Sequence, residues 1–420
     1  MPTVVLVGTL DTKGQEYQFV KDCLLDSGVD VLVIDIGVLG EACFEPDVSA
    51  ADVAESVGWK LEDLRFTREG TDTRKVALDV MADGLGVQLK RLYDEGKCHA
   101  VLGMGGSGGS TTISKGMRSL PLGVPKLLVS TMMAGNVESY VSNRDLTMMY
   151  SVTDIAGLNR FSRLILANAA HAAAGLAQGL DKSMAFATSG SKPLVALSMF
   201  GITTPGVLRM RDRLEAAGFE TVVFHATGSG GKSMEDLIRG GMIDGLIDAT
   251  LAELCDELLG GIFSAGPTRL TAAGEMGIPQ VVIPGAIEVL NFGPRNSVPE
   301  KFDVPERKLI VHNDNVCAVR ALDDELVELA NRMTSRLSGA TGPTAVVLPL
   351  KGLDRYGEPD GPWDDPERDA ILFETIEQNL NPSIPLHKLD FHINEPEFAD
   401  AVVDLFLSLW EERSKGGGSQ

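Results

Sequence analysis

The chain has 420 residues, of which 44% are apolar and 23% are charged, a composition typical of a soluble globular protein with two or three domains. Its net charge of −22 argues against a general nucleic-acid-binding protein, because phosphate backbones require a basic face. No apolar run is long enough to span a bilayer, and the five cysteines contain no Cys-x-x-Cys pair. We expect a cytoplasmic protein that binds neither membranes nor nucleic acid.

In the first half, short apolar runs alternate with segments of helical periodicity. The run TVVLVG precedes a helical pattern that stops near Gly28, and VDVLVIDIG follows it as a second strand. A further helical pattern over about 73–95 leads to HAVLG, a glycine-rich loop, another helix and the strand PKLLVS. This alternation predicts a parallel sheet covered by helices, the doubly wound α/β class. We assign this N-terminal domain to residues 1–182.

The pattern restarts after the small polar stretch DKSMAFATSGSKP, which predicts a linker near 181–193. The segment from PLVALSM to VVFHATG repeats the order strand, Gly-Thr loop, helix, glycine and strand. Further strands are predicted at GLIDA, QVVIPG, KLIVHN and TAVVLPL. We therefore expect two Rossmann- or flavodoxin-like domains in tandem with a ligand crevice between them, the second over 192–412, followed by a flexible tail at 413–420.

The stretch GMGGSGGSTT, residues 103–112, is the strongest candidate for a ligand site. It places five glycines between a predicted strand and a predicted helix, where backbone N–H groups can approach an anion closely. As a dinucleotide fingerprint it is incomplete, because no acidic residue follows about 20 positions later, and a plain structural turn is the alternative. The predicted ligand contacts are Gly105, Gly106, Ser107, Gly108, Gly109, Ser110 and Thr111.

A second glycine-rich segment, ATGSGGKS, matches the P-loop pattern except that Ala226 replaces its first glycine. Asp248, at the end of GLIDA, occupies the place of a Walker B acid. Three interpretations stay open: a P-loop ATPase, a strand-to-helix turn with Ser233 as its N-cap, and a second phosphate-facing loop with Lys232 as its charge. The predicted contacts are Thr227, Gly228, Ser229, Gly230, Gly231, Lys232 and Ser233.

Polar residues after other predicted strands are further candidates, because ligands of open α/β sheets bind at the carboxyl ends of the strands. Asp35 ends the second strand, where an acid either contacts ribose or caps a helix. The histidines show no metal-ligand spacing, so we predict no metal site, and the sequence identifies no catalytic residue. The predicted contacts are Thr9, Asp11, Thr12, Asp35, Asn291 and Arg295.

A helix predicted over about 160–180 presents small residues suited to close helix packing. This face predicts a homo-oligomer, most simply a symmetric dimer, and the alternative is that the helix covers its own sheet. The face consists of Leu164, Ile165, Ala169, Ala172, Ala173 and Leu176.

Five motifs together resemble a known family: GTLDTKGQE, GMGGSGGST, STMMAGN, HATGSGGKSME and PGAIEVLNFGP. They are similar to the ATP-binding domain family named after the tomato mosaic virus resistance protein, long filed as an uncharacterised protein family. The resemblance covers about residues 1–410 and implies two α/β subdomains that bind ATP, with Mg²⁺ as a second candidate cofactor. We expect an ATP-binding protein with no assigned reaction. The alternatives are an enzyme acting on a phosphorylated or carboxylated metabolite and a P-loop-like ATPase.

Overall fold

A computed structural model describes residues 1–65, 71–188 and 192–416 of the chain. The chain divides into two compact units, Met1–Ser189 and Gly190–Gln420. Each unit contains a parallel β-sheet with flanking helices, so the predicted fold class of two doubly wound α/β domains in tandem is confirmed. In the described ranges, no helix combines the length and the apolar character that crossing a bilayer requires.

Unit 1 is built on a five-stranded parallel sheet in the order β2-β1-β3-β4-β5. The direction of winding reverses between β1 and β3, which makes this pair the topological switch point where such sheets bind ligands. The strands are β1 (Thr3–Gly8), β2 (Asp30–Asp35), β3 (Ala100–Gly105), β4 (Lys126–Ser130) and β5 (Leu146–Tyr150). The helices are α1 (Leu10–Asp26), α2 (Ala50–Glu55), α3 (Thr71–Asp94), α4 (Ser107–Met117), α5 (Glu138–Val141) and α6 (Arg160–Thr188), with a 3₁₀ turn at Leu61–Leu64.

The alternating side chains of β1 show how the sheet of unit 1 is buried on both faces. Val5 and Val7 pack into one core with α2, α3 and α4, whereas Val4 and Leu6 pack into the other with α1 and α6. Successive side chains of a strand point to opposite faces, so a strand buried on both faces is a continuous apolar run. TVVLVG is such a run.

Unit 2 contains a six-stranded parallel sheet in the order β14-β13-β9-β8-β6-β7 and a three-stranded antiparallel sheet in the order β10-β12-β11. When β6 is counted as its first strand, the large sheet has its strands in the same order as the sheet of unit 1, with one more strand at the end. The strands are β6 (Leu194–Met199), β7 (Glu220–His225), β8 (Gly245–Asp248), β9 (Gln280–Val282), β10 (Val289–Phe292), β11 (Leu309–Asn313), β12 (Val316–Arg320), β13 (Thr344–Pro349) and β14 (Leu386–Leu389). The helices are α7 (Thr204–Ala216), α8 (Ser229–Arg239), α9 (Ala252–Leu259), α10 (Ala272–Met276), α11 (Asp323–Leu337), α12 (Pro366–Asn379) and α13 (Pro396–Gly416), with 3₁₀ turns at Arg295–Ser297 and Glu300–Phe302.

Three segments differ from their predicted structure. The strand KLIVHN belongs to the antiparallel sheet, because β12 follows it within a few residues and pairs with it as a hairpin. Helix α6 continues to residue 188, so it includes the first part of the predicted linker, and residues 189–191 lie outside the described ranges. Helix α13 continues to residue 416, four residues into the predicted tail.

Candidate functional site

A cavity of about 750 Å³ opens at the carboxyl edge of the unit 1 sheet, beside the β1–β3 switch point. Its size suits a small organic ligand. Its walls come from the segments that follow β1, β2 and β3 and from one face of α3, and all of them belong to unit 1. The lining residues are Thr9, Asp11, Thr12, Lys13, Ile36, Val38, Leu39, Arg74, Ala77, Leu78, Met81, Gly105, Gly106, Ser107, Gly108, Gly109 and Thr112.

The glycine-rich loop passes directly from β3 into α4 and forms one wall of the cavity. Gly106 is the N-cap of α4, and no side chain caps this helix. The N–H of Ser110 donates to Gly106 O at 2.9 Å, which is the first bond of the helix. The N–H groups of Ser107, Gly108 and Gly109 come before that bond and have no acceptor among the described residues. The helix therefore presents free donors and the positive end of its dipole to the cavity.

The glycines of this loop differ in what a side chain would contact. A methyl group on Gly105 would stand 3.2 Å from Gly109 Cα, so close packing of β3 on α4 favours glycine there. A methyl group on Gly109 would meet nothing within 4 Å, and one on Gly106 nothing nearer than 3.9 Å. None of these glycines has a positive φ. At Gly106 and Gly109, what the missing side chain provides is access to the backbone.

Tyr17, on α1, holds the end of β3 just before this loop. Its hydroxyl donates to Met104 O and accepts from Met104 N at 3.1 Å. These are the hydrogen bonds that β1 would make to this part of β3 if β1 were longer. A side chain on Gly8 would overlap the Tyr17 ring, which explains the glycine at the end of β1. Burial raises the pKa of the Tyr17 hydroxyl, which therefore remains a donor.

Two basic side chains line the cavity. Arg74 is exposed on α3, and its Nη2 is 3.5 Å from the position of a methyl group on Gly108, so the guanidinium lies over the start of α4. Lys13 lies at a kink in α1, and its Nζ donates to Ile155 O. The sequence did not predict Arg74, because nothing in a helical pattern indicates which strand end the helix will face.

Two acids predicted as ligand contacts bind backbone amides of the cavity wall. Asp35 is 4% exposed, and its Oδ1 accepts from the first amide of α1 and from Gly37 N, each at 2.9 Å. Asp35 thus caps a helix, which is the second of the two roles that the sequence allowed for it. Burial raises the pKa of its carboxyl. Asp11 lines the cavity, and its Oδ2 accepts from Leu39 N at 2.8 Å and Gly40 N at 3.1 Å. Both acids fix the segment after β2.

The hydroxyl groups of the predicted site divide into two sets. Thr9 and Thr12 line the cavity, and their hydroxyls are hydrogen-bonded to each other at 2.9 Å. Ser110 is fully buried, and its Oγ donates to Ser130 Oγ at 2.6 Å. Thr111 Oγ1 donates to the carbonyl one turn earlier, at 2.9 Å. Ser110 and Thr111 therefore support the helix rather than line the cavity.

The second glycine-rich loop begins α8 in unit 2 and already holds an internal anion. Gly228, with φ 80°, and Gly231 donate their N–H groups to Glu253 Oε1 at 2.7 and 3.0 Å. Lys232 is exposed on the outside of the same turn. The loop follows the second strand of its sheet, whereas the loop of unit 1 follows the third strand, so the two are not equivalent. Ligand binding by residues 227–233 stays a prediction.

A buried arginine neutralises this internal anion. Arg269 Nε donates to Glu253 Oε2 at 2.7 Å, and its Nη2 donates to Asp248 Oδ1 at 2.7 Å. Asp248 also accepts from Ser198 Oγ at 2.6 Å. All four side chains are at most 1% exposed. The acid at the Walker B position is thus part of an internal ion network.

Both halves of the chain match models of one protein family. Residues 2–182 match the N-terminal domain of the uncharacterised protein family UPF0261, and residues 192–410 match its C-terminal domain. The chain belongs to the UPF0261 family. A UPF0261 protein of Clostridium tetani is 41% identical over 410 residues, which cover 97% of this chain and 99% of that one.

The ToMV resistance protein Tm-1(GCR237) of Solanum lycopersicum is 36% identical over an alignment of 427 positions. The alignment covers 97% of this chain and 56% of the tomato protein. The relation predicted from the motifs is thereby confirmed, whereas ATP binding stays a prediction. A solved UDP-N-acetylglucosamine 2-epimerase covers 98% of this chain at 11% identity, and its TM-score of 0.18 is too low to support an argument.

The last two predicted contacts of this UPF0261 chain lie in unit 2, outside the cavity. Asn291 is fully buried, and its N and Nδ2 donate to Asp256 at 2.6 and 3.1 Å. Arg295 is exposed and forms an ion pair with Asp303 at 2.7 Å. Among the residues that the structure describes, no three His, Cys, Asp or Glu side chains are arranged to hold a metal ion.

Proposed function

We propose that unit 1 binds a nucleotide through its phosphate groups, with ATP as the expected ligand and the start of α4 as the phosphate site. The observation that carries this proposal is the set of three free N–H groups, those of Ser107, Gly108 and Gly109, on a cavity of about 750 Å³. Hydrogen bonds from backbone N–H groups to a charged oxygen are shorter and stronger than those between neutral groups. A phosphate is the ligand that such a helix terminus favours.

Unit 2 supports this assignment by contrast. There, the donors at the start of α8 bind the carboxylate of Glu253, which comes from the same chain. The start of α4 has no carboxylate bound to it among the described residues. These donors are therefore available to an acceptor from a ligand. Arg74 supplies a positive charge near the loop, and we propose that Mg²⁺ is carried by the phosphates of ATP.

Gly109→Ala tests the proposal, because a methyl group fits there without contact in the folded protein but occupies the path to the amides. We expect the variant to fold at least as well as the wild type, since alanine favours a helix over glycine. Loss of one hydrogen bond to a charged group predicts about ten- to hundredfold weaker ATP binding, measured by titration calorimetry. The matched control is Gly175→Ala in α6, where a methyl group also meets nothing within 4 Å. Wild-type affinity in Gly109→Ala would contradict the proposal.

We also propose a homodimer through the outer face of α6. Ala169 and Ala173 of the predicted face are buried on the sheet of unit 1, as the alternative interpretation required. Leu164 and Leu176 are 59% and 38% exposed and support an interface. Light scattering at micromolar concentration should give twice the chain mass for the wild type, and Leu164→Glu should lower it to one chain. A monomeric wild type would contradict this proposal.

A further inference from the structure

The cavity of unit 1 has an apolar region beside the proposed phosphate site. One side of it is the segment after β2, and the other is the face of α3. The lining side chains there are Ile36, Val38, Leu39, Ala77, Leu78 and Met81. None of these six side chains has a hydrogen-bond donor, and the only acceptor among them is the weak thioether sulfur of Met81, so they cannot recognise the polar edge of a nucleobase strongly.

The backbone donors of the segment after β2 are also occupied. The N–H of Ile36 donates to Gly8 O, and that of Gly37 to the Asp35 carboxylate, each at 2.9 Å. The N–H groups of residues 39 and 40 donate to the Asp11 carboxylate. Four of five successive amides are thus bound to groups of the protein, and the amides of the α3 residues lie inside a helix that uses them.

We infer that the base of the ligand lies in this apolar region and is held there by apolar contact, so that the cavity does not distinguish one base from another. The polar lining side chains Thr9, Asp11, Thr12 and Lys13 lie on a different wall, which follows β1. This inference rests on the proposed phosphate site. A site that discriminates strongly between similar ligands does so with buried polar groups that the wrong ligand leaves unpaired, whereas an apolar pocket discriminates weakly. The site is therefore one for a nucleotide of any base, recognised by its phosphates and by an apolar surface.

The experiment compares ATP, GTP and CTP on the full chain by titration calorimetry with Mg²⁺, and it includes tripolyphosphate as a probe without a base. We expect the three nucleotides to bind within about tenfold of one another and tripolyphosphate to bind more weakly, because it lacks the apolar contact. Leu39 is 62% exposed, so Leu39→Ala leaves the core intact. This variant should weaken the three nucleotides by a similar factor, about fivefold, and leave tripolyphosphate unchanged. The matched control is Leu25→Ala, a leucine 50% exposed on α1 outside the cavity.

The outcomes separate the two proposals. A preference of more than about tenfold for one base overturns the inference and leaves the phosphate site standing. The same holds if Leu39→Ala weakens one nucleotide alone or weakens tripolyphosphate equally. If neither nucleotides nor tripolyphosphate bind, the proposed function itself fails, and the inference fails with it.

Discussion

The two units share the same strand order, and in each a helix begins with amides that need an acceptor. The two units differ in what these amides contact. In each, a glycine-rich turn at the carboxyl edge of a parallel sheet begins a helix whose first amides have no partner within the helix. In unit 2, Glu253 bonds those amides and Arg269 neutralises Glu253. In unit 1, the amides face a cavity. The comparison teaches that a glycine-rich helix start does not by itself indicate a ligand site, because in unit 2 the same feature binds a carboxylate of the chain.

The largest expected effect is in unit 2. Glu253→Ala leaves the α8 amides and the Nε of the buried Arg269 without their acceptor, although Asp248 still binds the guanidinium; losing one partner of a buried ion pair costs about 3–5 kcal/mol. Urea unfolding should measure this loss. Glu220→Ala, which removes an exposed glutamate at the start of β7, is the control and should change stability little. A small change in Glu253→Ala would mean that the α8 terminus needs no anion, and the contrast with unit 1 would fail.

The second effect is a pH dependence that we expect from unit 2. Glu288, Asp354 and Asp369 are buried around Arg320, and burial raises their pKa, to about 7 for Asp354 and about 6 for Asp369. An acid whose pKa is raised by folding binds its proton more tightly in the folded state. Its contribution to stability therefore falls as pH rises from its unfolded pKa to its folded pKa. The unfolding free energy should decrease by up to about 1.4 kcal/mol per pH unit for each acid between about pH 4, where an unfolded aspartate titrates, and about pH 7.

Asp354→Asn identifies the source of this pH dependence. An amide oxygen at this position can still accept from Tyr356 N and Gly357 N, as the carboxylate does. The variant should therefore fold and show a flatter pH profile, followed by the fluorescence of the buried Trp363. A profile as steep as that of the wild type would assign the effect to other groups.

The third effect concerns Arg74, the exposed arginine of the cavity wall. Arg74→Ala should weaken ATP binding by about tenfold or more, because it removes a charge beside the phosphate site, and should leave stability unchanged, because the side chain is exposed. Lys75→Ala, an exposed charge at the next position of α3 that does not line the cavity, is the control. Equal losses in both variants would indicate only a general effect of charge.

The sequence predicted the fold because its signals are local. Continuous apolar runs such as TVVLVG and LVALSM are buried on both faces, and helices of 3.6-residue periodicity separate them. The glycine loop at 103–112 was also identified correctly as the passage from a strand to a helix, since glycines before a helix start are a local pattern too.

The site could be predicted only in part, because its remaining features depend on contacts between distant residues. Arg74 reaches the loop from a helix about 30 positions earlier, and Glu253 reaches the α8 amides from more than 20 positions later. Whether Asp35 points to a ligand or to an amide depends on the geometry of the next turn. The inward direction of Ser110 depends on its partner on β4. These contacts cannot be predicted from residue type and spacing along the chain.

The hydrogen bonds between the Tyr17 hydroxyl and Met104 bear on the rate at which a ligand would bind. Because Tyr17 holds the end of β3 beside the loop, we expect the donors of the proposed site to be in place before binding, so that association requires diffusion of the anion rather than closure of a segment. A chain with a net charge of −22 repels an approaching polyphosphate. Dissolved salt screens this repulsion, with a Debye length of about 10 Å at 0.1 M. Moderate salt should therefore accelerate the arrival of ATP, whereas it slows association with proteins that present a basic surface.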